Sequence, residues 1–157
     1  MSTSDQDLKG SNLVVALIGA PNSGKTTLYN WLTNSKFKTV NYPGATVEYS
    51  IGQSAERYGK DQFPVMDTPG TYSLFPKSAD EEVTLKAIYE HPNYGFAGKI
   101  VVVIDGTQLA RNLLIARQIQ KTGFSFIIVI TMSDLLQKAG MDLDLDTNVT
   151  GGSGSNL

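Results

Sequence analysis

Residues 13–32 read LVVALIGAPNSGKTTLYNWL, and the order of patterns within them decides the fold. Leu13 to Ile18 is an apolar run that stops at Gly19, as expected of a strand buried on both faces of a parallel sheet. From Lys25 onward, Leu28, Trp31 and Leu32 recur at i, i+3 and i+4, the core-facing stripe of a short helix. Between them stands Gly19-Ala20-Pro21-Asn22-Ser23-Gly24-Lys25-Thr26, which satisfies GxxxxGK[ST] in the context that a phosphate-binding P-loop requires.

The chemistry follows from the spacing. Backbone N–H groups must curl around phosphates, and glycine at positions 19 and 24 permits that close approach. Lys25 is expected to reach the β and γ phosphates as a point charge, and the Thr26 hydroxyl to ligate magnesium. Ala20, Pro21, Asn22 and Ser23 complete the loop, and Thr27 continues it into the helix, whose N-terminal dipole favours the anion.

Downstream, Val47 to Ser54 alternates like a more exposed strand after an irregular stretch from Lys36 to Thr46. Phe63 to Met66 reads as its partner, ending at Asp67-Thr68-Pro69-Gly70. Ala79 to Tyr89 has helical spacing through Val83, Leu85, Ile88 and Tyr89. Two strand and helix pairs follow: Ile100 to Ile104 with Leu109 to Lys121, then Phe124 to Ile130 with Ser133 to Ala139, capped by Gly140. This alternation predicts an α/β P-loop NTPase fold: a mostly parallel, doubly wound sheet with one antiparallel strand, Ras-like but lacking its last strand and helix. The expected organisation is a loose tail over 1–12, one domain over 13–140 and a flexible segment over 141–157.

Composition narrows the partners. The 157 residues are 41% hydrophobic, enough for one core. A formal charge of -2 with 18% charged residues leaves no basic stripe for nucleic acid, and the absence of cysteine excludes disulfides and thiolate metal sites. The N-terminus is polar rather than signal-like, and no apolar run reaches the roughly 20 residues that span a bilayer, so a soluble chain is expected.

Three further segments belong with the P-loop. At the end of a strand, the Asp67 carboxylate can hold a magnesium-bound water and the Gly70 N–H can sense a γ phosphate. Thr46 lies in the loop where GTPases place a threonine that completes the magnesium shell when that phosphate is present. Thr131-Met132-Ser133-Asp134 ends an apolar strand at the carboxyl edge, where Asp134 can accept from both N1 and N2 donors of guanine, or else cap the next helix with Ser133. Adenine lacks that donor pair, which favours GTP over ATP as the nucleotide hydrolysed.

Together GAPNSGKTTLYN (19–30), NYPGATVE (41–48), DTPGTYSLFPKSADEEV (67–83) and IDGTQLARNLLIARQI (104–119) resemble the N-terminal GTPase domain of the bacterial ferrous iron transport protein B family, from about Leu13 to about Gly140. The resemblance implies a GTP-binding and GTP-hydrolysing domain on the cytoplasmic face of the inner membrane. Its partners there are guanine nucleotide and the helical and transmembrane domains of a longer iron transporter. It also implies that Asn22 helps bind potassium, with backbone carbonyls of Asn41 to Ala45, and that potassium stimulates hydrolysis in the way an arginine finger does elsewhere. Thr71 stands where Ras-like proteins carry a water-orienting glutamine, so turnover is expected to be slow. Ala20 replaces a polar loop residue, Thr131 replaces the usual asparagine, and the last base-contacting loop is not visible. A P-loop NTPase of poor guanine selectivity, or a potassium-dependent GTPase acting on ribosome or tRNA, are the alternatives.

The remaining candidates read as structural. His91, in a Pro- and Asn-rich loop, is expected to be a surface residue, Asp80, Glu81 and Glu82 to favour a helix N-terminus, and Asp142, Asp144 and Asp146 to be solvated.

Overall fold

The computed structural model describes residues 14–34, 38–91, 95 and 97–142. Six strands form one sheet in the order β2-β3-β4-β1-β5-β6: β1 Val15–Gly19, β2 Lys38–Asn41, β3 Glu48–Gln53, β4 Pro64–Asp67, β5 Lys99–Asp105 and β6 Phe126–Thr131. Among the described residues, four α-helices accompany them: α1 Lys25–Thr33, α2 Ala79–Tyr89 and α3 Leu109–Thr122 between strands, and α4 Ser133–Lys138 after β6.

β1 lies mid-sheet, parallel to both neighbours, with Leu17 level with Asp67 on β4 and Val101 on β5. Every residue of β1 is buried, which explains its uninterrupted apolar sequence. β3 alone runs against its neighbours, pairing Ser50 with Asp67 on one side and Asn41 with Glu48 on the other. β6 is parallel to β5, so Thr131 sits level with Asp105. The carboxyl ends of β1, β4, β5 and β6 therefore share one edge, where Gly19, Asp67, Asp105 and Thr131 stand. The expected mostly parallel sheet with one antiparallel strand is the sheet observed.

Three readings change. The stretch from 36 to 46 is not irregular throughout, because residues 38–41 form edge strand β2. Trp31 does not face the core: it is 62% exposed, and Tyr29 takes the buried position against Leu17, Val65 and Val103. His91 is not a surface residue. It is 2% exposed, its Nε2 lies 2.7 Å from the Tyr49 hydroxyl, and it packs edge-on against Tyr42 and Tyr49. Leu13, Lys36, the 1–12 tail, Asp144, Asp146 and the rest of the 143–157 segment lie outside the described residues. Among the described residues, no strand or helix follows α4.

α2 begins as its sequence suggests: the Ser78 side chain accepts from the Glu81 N–H, and Asp80, Glu81 and Glu82 occupy the first turn.

Candidate functional site

The P-loop leaves β1 at Gly19, where there is no room for a side chain, since a Cβ would stand 2.2 Å from the Val103 carbonyl oxygen. The chain then turns through left-handed conformations at Asn22 (φ 61°) and Gly24 (φ 92°), the residue types that tolerate them. Lys25 is buried and its Nζ donates to the Ala20 carbonyl at 3.2 Å, across the bowl of the loop. The Ala20 carbonyl also accepts the Ser23 N–H at 3.2 Å.

Beside Lys25, the Thr26 hydroxyl donates to Asp67 Oδ2 at 2.7 Å, while Asp67 Oδ1 is buried with no hydrogen-bond partner. Burial raises the Asp67 pKa, with the Thr26 hydrogen bond and the Lys25 charge pulling against it. Burial likewise lowers the Lys25 pKa, opposed by the attraction of Asp67. Both charges are short of solvation. A site with an orphaned carboxylate oxygen and a half-satisfied ammonium is built to receive a hard cation and an anion together.

Two cavities flank this pair. One of about 310 Å³ is lined by Asn22, Gly24, Lys25, Thr26, Thr27 and Met132. The other, about 380 Å³, is bounded by Pro21, Asn22, Lys25, Thr26 and the 67–70 segment. Thr39, Glu48 and Ser50 form its far wall, which sequence reasoning missed. No contiguous motif marks them; only the antiparallel register of β3 on β4 brings Ser50 beside Asp67.

Gly70 is pressed onto the P-loop, where a Cβ would lie 2.7 Å from Pro21 N. The Thr71 N–H donates to the Gly19 carbonyl at 2.9 Å, and the Thr84 hydroxyl, from α2, to the Pro69 carbonyl at 3.0 Å. On the opposite side, the Thr131 hydroxyl donates to the Ser23 carbonyl at 2.6 Å and approaches that of Ile104 at 3.1 Å. Met132 has φ 58° and sits at the N-cap of α4, and Ser133 makes no cap there. Asp134 is exposed in the first turn of that helix and does not line either cavity. Thr46 is exposed in the β2–β3 turn, closed by Tyr42 N–H to Val47 O and Ala45 N–H to Tyr42 O, both 2.9 Å, and is also outside both cavities. The structure thus gathers Gly19 through Thr27, Asp67, Gly70, Thr131 and Met132, and leaves Thr46 and Asp134 apart. Among the described residues there is no cluster of three metal-binding side chains and no helix long and apolar enough to cross a membrane.

The family described as ferrous iron transport protein B matches residues 13–149. This chain belongs to that family. It is 36% identical over 134 residues to the Fe(2+) transporter FeoB of Salmonella typhimurium and 35% identical over 134 residues to that of Escherichia coli. Each alignment covers 85% of this chain and 17% of the relative, so the chain spans only a minor part of the length of the curated FeoB proteins it matches. Among solved FeoB structures, a variant of S. thermophilus NFeoB bound to GDP superposes with a TM-score of 0.74 at 36% identity, covering 85% of this chain and 50% of that one. NFeoB from S. thermophilus bound to GDP.AlF4- and K+ gives 0.70 at 37%, covering 85% and 49%. The cytosolic domain of L. pneumophila FeoB gives 0.74 at 34%, covering 83% and 50%. The fold is that of the FeoB P-loop GTPase domain.

Proposed function

We propose that the chain binds guanine nucleotide at Gly19–Thr27 and hydrolyses GTP, as the cytoplasmic nucleotide-operated part of a longer ferrous iron transporter at the inner membrane. The observation that carries this reading is the buried Lys25 and Asp67 with the hydroxyl of the exposed Thr26 bonded to Asp67, a group whose unmet charges and orphaned oxygen match a magnesium-bound triphosphate. The NFeoB structures with GDP and with GDP.AlF4- and K+ support the choice of nucleotide and of potassium.

In this reading Lys25 releases the Ala20 carbonyl and turns to the β and γ phosphates, while P-loop N–H groups hold them in place. Thr26 and Asp67 are the magnesium-holding pair, and Asn22, which lines both cavities, is the side chain placed to help hold potassium. Bound there, the ions would offset the negative charge on the oxygens of the transferred phosphoryl group. Gly70 offers its N–H to the γ phosphate. Thr46 joins only when the turn closed by Tyr42 and Val47 opens, which makes that turn and the segment after Asp67 the two moving parts. The Thr71 hydroxyl is engaged by the Ser73 carbonyl at 2.7 Å, so it does not orient an attacking water, consistent with slow turnover.

The second reading, a P-loop NTPase of poor base selectivity, is favoured by Thr131, whose proton is spent on backbone. Calorimetric titration with GDP and ADP separates the two: tighter GDP supports the guanine reading, equal or tighter ADP refutes it. Phosphate release from GTP in potassium and in sodium tests the ion, and equal rates refute the role of Asn22.

A further inference from the structure

We infer that Glu48 and Ser50 of β3 complete the magnesium site from the far wall of the cavity, by holding waters that the ion keeps when it binds. The two residues stand two apart on one strand and so share a face. Tyr49, between them, is buried on the other face in the core with Tyr42 and Met66. Ser50 is level with Asp67 on β4 and with Thr39 on β2, which puts the three side chains on one face, neighbours about 5 Å apart at Cβ. The Ser50 and Thr39 hydroxyls lie 3.4 Å from each other. Thr39, Glu48 and Ser50 all line the cavity of about 380 Å³ that Lys25, Thr26 and Asp67 line from the other side. The β3–β4 pairing sets Ser50 against Asp67, so its place does not depend on the turn at 42–47.

Thr26 and Asp67 do not satisfy magnesium alone. The ion demands an octahedron of oxygens, gives up water reluctantly, and is held through one or two carboxylates together with phosphates. Among the described residues no three His, Cys, Asp or Glu side chains converge to hold a metal, so waters must fill the remaining places. Each such water donates two protons and needs acceptors for them. Asp67 Oδ1, buried and without a partner, is one acceptor. Glu48 brings an exposed carboxylate to the same cavity, and the ion pair found among the described residues, Lys86 with Glu82, does not involve it. Hydrogen bonds to a carboxylate are the stronger kind, and partners beyond the direct ligands tune metal affinity. With no cation between them, the same Glu48 charge opposes the phosphates. Glu48 and Ser50 are thus positioning residues that tie triphosphate binding to the ion.

This inference rests on the reading of Thr26 and Asp67 as the magnesium-holding pair and is tested apart from it. The dissociation constant of the non-hydrolysable analogue GMPPNP is measured by calorimetry for the 157-residue chain, Glu48→Gln and Ser50→Ala, once with excess magnesium and once with EDTA. The ratio of the two constants reports the coupling between ion and nucleotide. Glu48→Gln is expected to lower that ratio about tenfold, through weaker binding in magnesium, while binding in EDTA equals or exceeds that of wild type. Ser50→Ala is expected to lower the ratio by less, with binding in EDTA unchanged. Residues that served only the shape of the hairpin would lose affinity equally in both conditions. An unchanged ratio in either variant, or an equal loss with and without magnesium, overturns the assignment. If Glu48→Gln does not fold, Ser50→Ala decides alone. A wild-type chain that binds GMPPNP equally in magnesium and in EDTA overturns the magnesium reading itself, and this inference with it.

Discussion

The Thr131 hydroxyl donates to the Ser23 carbonyl at 2.6 Å, joining the end of β6 to the middle of the P-loop. A hydroxyl has one proton, so this group cannot also donate to the N7 or O6 acceptors of guanine. Its contribution belongs to the shape of the phosphate loop rather than to recognition of the base. Thr131→Val is therefore expected to weaken GDP and ADP alike, by about 1 kcal/mol or roughly fivefold. Titration of both nucleotides checks this. A loss confined to GDP would return Thr131 to the base.

Lys25 is a charge held in a low-dielectric site, and its replacement has two expected effects of opposite sign. Its burial opposes the charged form, so Lys25→Met relieves a cost in the nucleotide-free protein. Under the proposed function the same change would remove charge-assisted bonds to two phosphates, about 3 kcal/mol or roughly 100-fold in affinity. The expected outcome is a thermal midpoint equal to or above wild type without nucleotide, together with loss of the upward shift that GDP is expected to give the wild-type chain. Differential scanning fluorimetry with and without GDP reads both. A clear fall in the unliganded midpoint would show that the Lys25 to Ala20 bond outweighs the desolvation.

Gly70 tests the approach of its segment to the P-loop. An added Cβ would stand 2.7 Å from both Pro21 N and Cγ, against backbone that cannot swing aside. Gly70→Ala is expected to cost about 1–3 kcal/mol of stability and to abolish GTP hydrolysis, while GDP binding survives. Urea unfolding and phosphate release provide the two readouts.

What was legible in the sequence was what lies close together in it. β1 and β5 announce themselves because strands buried on both faces admit little but apolar residues, and the P-loop is contiguous. β2 does not, because an edge strand of four residues carrying Lys38, Thr39 and Asn41 takes its structure from pairing with β3 rather than from its own pattern. Asp67 and Thr26 could be assigned from motifs, whereas Ser50 and Thr39 reach the cavity only through sheet register. His91 was misplaced for a related reason. A Pro- and Asn-rich context reads as exposed loop, but the rings that bury it, Tyr42 and Tyr49, come from the β2–β3 hairpin.

The face of α1 was misread because Trp31 is apolar, and the error has an energetic signature. Trp31 lies on the surface, edge-on to Tyr58, with the Arg57 guanidinium near both rings and bonded to the Trp31 carbonyl. Tyr29 is fully buried among sheet residues. Trp31→Ala is expected to cost less than about 1 kcal/mol, and Tyr29→Ala about 3–5 kcal/mol. Equilibrium unfolding of the two variants checks the ranking, and equal losses would contradict the burial assigned to Tyr29.

His91 makes stability depend on pH with a definite sign. Burial lowers its pKa, so the folded chain holds the imidazole neutral at a pH where the unfolded chain already protonates it. Its stabilising contribution is therefore complete above the unfolded value of about 6.5 and is lost as pH falls through the lowered folded value. Protonation would also make Nε2 a donor to the Tyr49 hydroxyl whichever nitrogen carries the proton in the neutral ring, and place a charge between two tyrosine rings in the core that backs the β2–β3 hairpin. His91→Phe cannot titrate, so the difference in unfolding free energy between wild type and this variant should narrow or reverse between pH 7.5 and pH 5, as acid costs only the wild type. Other titrating groups are common to both proteins and cancel in the difference. A difference independent of pH over that interval would mean that His91 is protonated as readily in the fold as outside it, and would refute the lowered pKa.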